Sequence, residues 1–466
     1  MSGATGTWLK PGVNENRMYF IYSFLLCVGF LVLLPRFLFD AIRHGKYVAG
    51  FRERLGTVAP LPKNKPVVWL HCVSVGETQA ARPLVRALKT RFPEHQIAVS
   101  TITLTGQNLA RSVFSGEAAQ VFYFPFDWRW TVRRTLKAIN PSVVLVMETE
   151  LWPNFLRECD EQQIPVALVN GRLSEQSFRR YKIIKSFMTR VLSSLKFAAM
   201  QTEADAKRLC ELGMDSDKTT VLGSLKFDAG TMPSNETVTS ESRTRFALGD
   251  ESPLILAAST HTPEEKIVLE SFKQVTAQWP AKLKLMIAPR HPERFPEVAN
   301  LIEASGFRWA RKSNPASPTE AAAEVILLDT IGELTSVFSL ATIVFVGGSI
   351  APTGGHNVLE PASVGAPVIT GPHTHNFQLI IEAFVKADAI VQLPENNETE
   401  MTANLTGAML ALLNDPDRRL QLKERARSLV NANRGATERT MNSLNSILAP
   451  HPVEPPDLLA SRAPIA

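Results

Sequence analysis

The chain has 466 residues, 45% of them hydrophobic and 20% charged, a composition that buries a large core and excludes a disordered protein. Its length implies two or three domains. Lys plus Arg exceed Asp plus Glu by 50 to 45, an excess that suits phosphorylated substrates or an anionic membrane face; with no zinc-ligand spacing and no basic, aromatic ribonucleoprotein motif, nucleic acid is not favoured as a partner.

After a flank at residues 1–17 comes "MYFIYSFLLCVGFLVLLP", Met18 to Pro35. Its roughly 17 uncharged residues are at the short end of what crosses a hydrocarbon core, and residues 18–39 are read as a membrane anchor. No small-x-small cleavage site follows, which argues against a signal peptide. Arg36, Arg43, Lys46, Arg52 and Arg54 outweigh Lys10 and Arg17, so the positive-inside rule leaves the bulk of the protein in the cytoplasm. A helix lying within one leaflet is the alternative. The four cysteines, Cys27, Cys72, Cys159 and Cys210, are scattered and read as reduced thiols.

From Val67, apolar runs alternate with amphipathic stretches. "VVWLH", "QIAVST", "QVFYFPF", "SVVLVMET", "PVALVNG" and "FAAMQT" are strand candidates. Helices are expected near Glu77–Lys89, Trp130–Ile139 and Thr202–Leu212, giving a doubly wound α/β domain over residues 40–228. Residues 229–244, polar and poor in large apolar side chains, read as a linker. A second series, "PLILAAST", "LKLMIAP", "AEVILLD", "TIVFVGG", "APVITG" and "AIVQLP", builds another α/β domain over 245–448. The proline-rich tail, 449–466, reads as disordered. Ligands of open α/β sheets bind beyond the carboxyl ends of the strands. The polar residues found there, among them Ser74 to Glu77, Glu148, Asn170 to Arg172, Ser259 to His261, Arg290 and Gly347 to Asn357, imply a site in a cleft between two Rossmann-like domains.

Glu77 begins the first helix of that series. Ser74-x-x-Glu77 is a capping-box pattern, and so are Asn357-x-x-Glu360, Thr202-x-x-Asp205 and Thr262-x-x-Glu265; on pattern alone Glu77 is a cap or a catalyst, and Glu360 a cap or a ligand contact. The glycines at 347, 348, 354 and 355 permit close approach of a ligand, and the helix that follows offers free amides to a phosphate. His373 to His375 lack an acidic ligand set and read as loop, not metal. The basic, amphipathic stretch from Arg172 to Leu192, with Arg179, Arg180, Lys182 and Lys185, is either an ordinary helix with a solvated face or a surface that docks an anionic acceptor.

"HCVSVGE", "METELWPN", "VNGRLSEQS", "GSLKFD", "APRHPERF", "GELTSVF" and "GGHNVLEPA", in this order, resemble the 3-deoxy-D-manno-octulosonic acid (Kdo) transferases of lipid A and lipopolysaccharide assembly, over nearly the whole chain. The resemblance implies a GT-B fold and an inverting transfer of Kdo from CMP-Kdo to the lipid A precursor, lipid IVA, at the inner membrane, with no metal or other cofactor. It implies Glu77 as general base and Glu148 and Lys226 as stabilisers of the transition state. Pro289, Arg290, Ile331, Gly332, Glu333, Asn357, Val358, Leu359 and Glu360 match its CMP-binding segments. Arg290 has the planar fork suited to phosphate, and a monophosphate leaving group needs less charge neutralisation than a diphosphate. The rivals are another GT-B nucleotide-sugar enzyme, such as a UDP-sugar transferase or 2-epimerase, and a membrane-tethered binding module without turnover.

Overall fold

The computed structural model describes residues 11–44, 50–229, 235–249 and 251–448; the proline-rich tail lies outside them. The chain divides into two compact units, residues 1–228 with 435–466, and residues 229–434.

The first unit is a seven-stranded parallel sheet of order β3-β2-β1-β4-β5-β6-β7. Its strands are β1 (Val67–His71), β2 (Gln96–Thr101), β3 (Gln120–Tyr123), β4 (Val143–Met147), β5 (Val166–Gly171), β6 (Phe197–Met200) and β7 (Thr219–Val221). Both faces of the central strands are covered: every residue of β1, β4 and β5 is buried, which is why they read as unbroken apolar runs rather than as alternation. Trp69 packs against Phe122 at a tilt and edge-on to Phe155 within this core, and its indole N–H donates to Ser100 Oγ at 2.8 Å.

The second unit repeats the plan in the order β10-β11-β9-β8-β12-β13-β14, from β8 (Leu254–Thr260), β9 (Lys284–Pro289), β10 (Trp309–Arg311), β11 (Val325–Leu327), β12 (Ile343–Val346), β13 (Val368–Thr370) and β14 (Val391–Gln392). The strand order reverses between β1 and β4 in the first sheet and between β8 and β12 in the second, where β10 also lies outside β11 at the edge. Those two points fix where ligands of such sheets bind.

Three expectations are corrected. Within the stretch read as linker, Glu236–Arg245 forms a helix of the second unit. It is fastened by polar contacts, Thr239 Oγ1 to the Ser336 carbonyl at 2.7 Å and Arg245 to Glu320 at 2.7 Å, so it needs no apolar stripe to mark it. The helix Ala436–Leu448, assigned by sequence to the second domain, belongs to the first unit. Asp228 accepts hydrogen bonds from the amides of Gly435 and Thr437 at its start, while Met441, Leu444 and Leu448 join the core that holds Leu84 and Leu88. The basic stretch after β5 forms two helices, Glu175–Ile183 and Lys185–Ser193, broken at Ile184.

Near the N-terminus, a helix runs from Pro11 to His44, and its segment Asn16–Pro35 is long and apolar enough to cross a membrane.

Candidate active site

In the first unit the switch point gathers three charged side chains. The chain leaves β1 and turns at Ser74 into the helix Val75–Arg91, placing Glu77 in its first turn, where the helix dipole favours an acid. The capping box its sequence spells is not formed. Ser74 makes no side-chain cap; its hydroxyl donates to Glu77 Oε1 at 3.0 Å, and Oε2 accepts from the Val73 amide at 2.8 Å. Glu77 is 6% exposed. Burial and then the negative charge of Glu148 push its carboxyl up to about 8, against the pull of those two hydrogen bonds. A Cβ on the preceding Gly76 would meet only Ser74 Oγ, at 3.9 Å, so the space beside the carboxylate is open.

Glu148 follows β4 in a left-handed conformation, φ 53°, strained for a residue with a Cβ and typical of functional positions. Its carboxylate pairs with Lys226 Nζ at 3.1 Å. Lys226 lies on the short helix Leu225–Ala229, whose first amide donates to Asn170 Oδ1 at 2.9 Å. Asn170 is itself left-handed, φ 56°, at the end of β5. Thus the ends of β1, β4 and β5 and the Lys226 helix bring together the three residues expected to be catalytic. Asn170, which sets the Lys226 helix in place, was only one of many polar residues at strand ends in the sequence.

The nucleotide-binding residues expected in the second unit stand at or beyond the carboxyl ends of three strands, Ile331 to Glu333 after β11, Pro289 and Arg290 at β9, and Asn357 to Glu360 after β12. Arg290 follows β9, its amide donating to the Thr260 carbonyl at 3.1 Å, while its exposed guanidinium has no ion-pair partner among the described residues. Ile331 is 83% exposed and Gly332 is left-handed at φ 87°; Glu333 accepts from Thr330 Oγ1 at 2.8 Å. Asn357 Oδ1 caps Leu359 N at 3.0 Å and its Nδ2 donates to Glu360 at 3.0 Å, while Val358 and Leu359 are buried at the start of the helix Leu359–Val364. His261 Nε2 and His356 Nε2 lie 2.8 Å apart, with the His291 ring edge-on to His261. Burial, and the nearby Arg290, hold His356 down at about 3, and burial with the neighbouring His291 lowers His261 as well.

The glycine-rich loop is organised around a carboxylate of its own unit. Its amides are not offered to a phosphate: Gly348 N donates to Glu264 Oε2 at 2.7 Å, and Ser349, Ile350 and Ala351 donate to Oε1 at 2.9, 2.8 and 3.2 Å. The His261 amide adds a fifth bond at 2.9 Å. A Cβ at Gly347 would lie 2.7 Å from that carboxylate, which is what requires glycine there. No local pattern marks this role, because an acid in the first turn of a helix is ordinary.

Elsewhere, Thr202 caps its helix as expected, accepting from Asp205 N at 3.1 Å. Thr262 does not; Glu265 pairs with Arg294 at 2.6 Å instead. Two D-x-D triplets, at 215–217 and 415–417, are helix caps, with Asp215 accepting from Asp217 N at 3.0 Å and Asp415 from Arg418 N at 2.8 Å. Of the basic residues after β5, Arg172 donates its amide to Thr149 Oγ1 at 3.2 Å and Arg179 pairs with Glu175. Lys182 lies over the Phe178 ring at 5.6 Å, and Arg180 and Lys185 are exposed.

Two parallel seven-stranded α/β units, each with its polar residues at the switch point, define a protein of the GT-B type. A UDP-GlcNAc 2-epimerase from Neisseria meningitidis shares that fold, with a TM-score of 0.52 at 15% identity over 82% of this chain and 100% of that one. Residues 49–229 match the family profile of 3-deoxy-D-manno-octulosonic-acid transferase (kdotransferase). The chain is 34% identical to the 3-deoxy-D-manno-octulosonic acid transferase of Haemophilus influenzae over 93% of its own length and 99% of that protein's. It is 35% identical to the Bordetella pertussis enzyme of the same name, over 85% and 90%. The chain belongs to the Kdo transferases, a family of glycosyltransferases.

Proposed function

We propose that the protein transfers Kdo from CMP-Kdo to a hydroxyl of the lipid A precursor lipid IVA, with inversion, at the cytoplasmic face of the inner membrane. The observation that carries this reading is the Glu77 carboxylate. It is buried, held from one side by Val73 N–H and Ser74 O–H, and raised to about 8, the range in which a general base is both available and strong. It takes the proton of the acceptor hydroxyl as that oxygen attacks the anomeric carbon of Kdo. The bond from that carbon to the phosphate oxygen breaks, and CMP leaves with the electron pair. A single base on the attacking side and no covalent intermediate give inversion.

Lys226, held by Glu148 at 3.1 Å, supplies positive charge for the Kdo carboxylate or the departing phosphate. In the second unit the free fork of Arg290 takes the CMP phosphate, the Ile331–Glu333 turn and Asn357–Glu360 contact the nucleoside, and no metal takes part. The cations following β5 face the phosphates of the acceptor.

The test is mass spectrometry of a tetra-acylated lipid A precursor after incubation with the membrane-bound protein and CMP-Kdo generated in situ, with Glu77→Ala alongside and EDTA in a parallel reaction. Addition of one or more Kdo units, lost in the variant and unchanged by EDTA, is the expected result. No addition by folded, membrane-bound protein refutes the assignment of donor and acceptor; loss of transfer in EDTA refutes metal independence.

A further inference from the structure

The N-terminal helix is fastened to the first unit along most of its apolar length. Arg157 Nη2 donates to Asn16 Oδ1 at 2.8 Å, and the same guanidinium lies over the Tyr19 ring at 4.7 Å. The Tyr22 hydroxyl donates to the buried Asp127 carboxylate at 2.9 Å, and Asn154 Nδ2 donates to Ser23 Oγ at 3.1 Å. Phe30 packs edge-on against Phe126 and Trp128, with ring centroids 5.6 and 5.0 Å away. Every partner belongs to the first unit. From Asn16 to Phe30 the helix rises about 21 Å.

That geometry does not suit a helix that crosses a bilayer. A spanning segment holds its two ends on opposite sides of a hydrocarbon layer about 30 Å thick. Here one globular unit grips the segment from its first residue onward, through contacts that include the ion-paired Arg157. Were the helix to span, Arg157 and Asp127 would be carried into hydrocarbon with it, at a cost of several kcal/mol each.

The opposite face of the helix is bare. Phe20, Phe24 and Leu31 are 71%, 58% and 63% exposed and recur at helical spacing. Beside them the break between the two basic helices presents Ile183, 85% exposed, and Ile184, flanked by Lys182 and Lys185. A groove of about 430 Å³, lined by Ile21, Leu25, Ile183 and Phe187 among others, runs between the two.

We infer that the N-terminal helix lies in the plane of the membrane, in one leaflet, and does not cross it. The Phe20, Phe24 and Leu31 stripe and the Ile183–Ile184 tip enter the acyl layer together, and Lys182 and Lys185 stay at the headgroups. The occupant of this face is anionic phospholipid, since an apolar stripe rimmed by lysines is the pattern of an interfacial helix. The inference rests on the reading of the protein as an enzyme working at a membrane, and adds that both ends of the helix stay on the enzyme's side.

Arg17, exposed at the far end of the apolar run, reports on this directly. The full chain carries Arg17→Cys in a Cys27→Ser, Cys210→Ala background; Cys72 and Cys159 are buried. A membrane-impermeant maleimide is applied to intact spheroplasts and to inside-out vesicles. Labelling from the cytoplasmic side only is expected, and labelling from outside overturns the inference. Removing Arg17's charge favours translocation of that end, so retention inside is the stricter outcome.

As a second measurement, nitroxides at Phe20→Cys, Phe24→Cys and Leu31→Cys, in the same background, give immersion depth in vesicles containing anionic phospholipid. Equal, shallow depths support the in-plane helix; a maximum at position 24 with shallow ends overturns it. Protein that does not sediment with vesicles refutes the membrane reading itself, whereas outside labelling with Kdo transfer intact refutes only the in-plane arrangement.

Discussion

Glu77→Gln tests the proposed catalytic role apart from folding, because the burial that would suit Glu77 to act as a base makes its ionised form unwelcome in the fold. Its carboxyl titrates at about 8 in the native protein against a reference of 4.5. Below 4.5 the group is protonated whether the chain is folded or not, and there is no penalty. Above 8 it is ionised in both states, and the folded state bears the full desolvation and repulsion from Glu148. Between those values native stability falls as pH rises. The cost at pH 8 is about 4 kcal/mol at 1.36 kcal/mol per pKa unit, an upper value before local relaxation. Glutamine keeps the shape and removes the charge. Glu77→Gln is therefore expected to lose about 10²- to 10⁴-fold in transfer rate while melting higher than the parent at pH 8 and at nearly the same temperature at pH 4.5. Calorimetric melts across that range, run beside the Kdo transfer assay, are the check. A variant that is as active as the parent, or no more stable at pH 8, would refute the argument.

The rate itself should follow the same titration: kcat/KM of the parent rises with pH through about 8, with only about a tenth of the enzyme carrying the ionised base at pH 7. Glu148→Gln removes the second-largest cause of that raised value, so the midpoint moves to lower pH even as turnover falls; a pH–rate profile with an unmoved midpoint would count against the coupling. Arg290→Ala is expected to weaken CMP binding by about 10- to 100-fold, the loss of a charge-assisted contact, and calorimetric titration with CMP measures it; unchanged affinity would move the phosphate elsewhere. Glu264→Gln cannot accept five amide hydrogen bonds as a carboxylate does. It should raise KM for the donor while leaving KM for the acceptor near the parent value, and equal increases in both would assign Glu264 to general stability.

The central architecture was legible because parallel strands buried on both faces carry apolar runs, as in β4 and in Val67–Leu70, Val166–Val169, Leu254–Ala258 and Leu285–Ala288 of β1, β5, β8 and β9. The strands that escaped notice, β7 and β10, are three-residue edges with partly exposed side chains. They have no apolar run to display. Capping patterns were a poor guide: Ser317-x-x-Glu320 forms the reciprocal box, and Ser74-x-x-Glu77, with the same letters, does not. What separates them is whether the glutamate reaches the capping residue's own amide or the one before it, and sequence is silent on that. The left-handed turns at Glu148, Asn170 and Ser259 were equally invisible, since none uses glycine. Four of the five hydrogen bonds to Glu264 come from a loop more than 80 residues away in sequence, beyond any local signal.

That carboxylate changes what a ligand has to do. In many nucleotide-binding proteins a glycine-rich loop becomes well ordered only when an incoming phosphate gathers its amides. Here the gathering anion is already part of the chain, the Glu264 carboxylate accepting from the amides of Gly348 to Ala351. The donor then has little backbone to immobilise, and less of its binding energy is consumed in ordering the loop. With Gly348 to Ala351 already satisfied, a phosphate finds no nest of free amides at this loop.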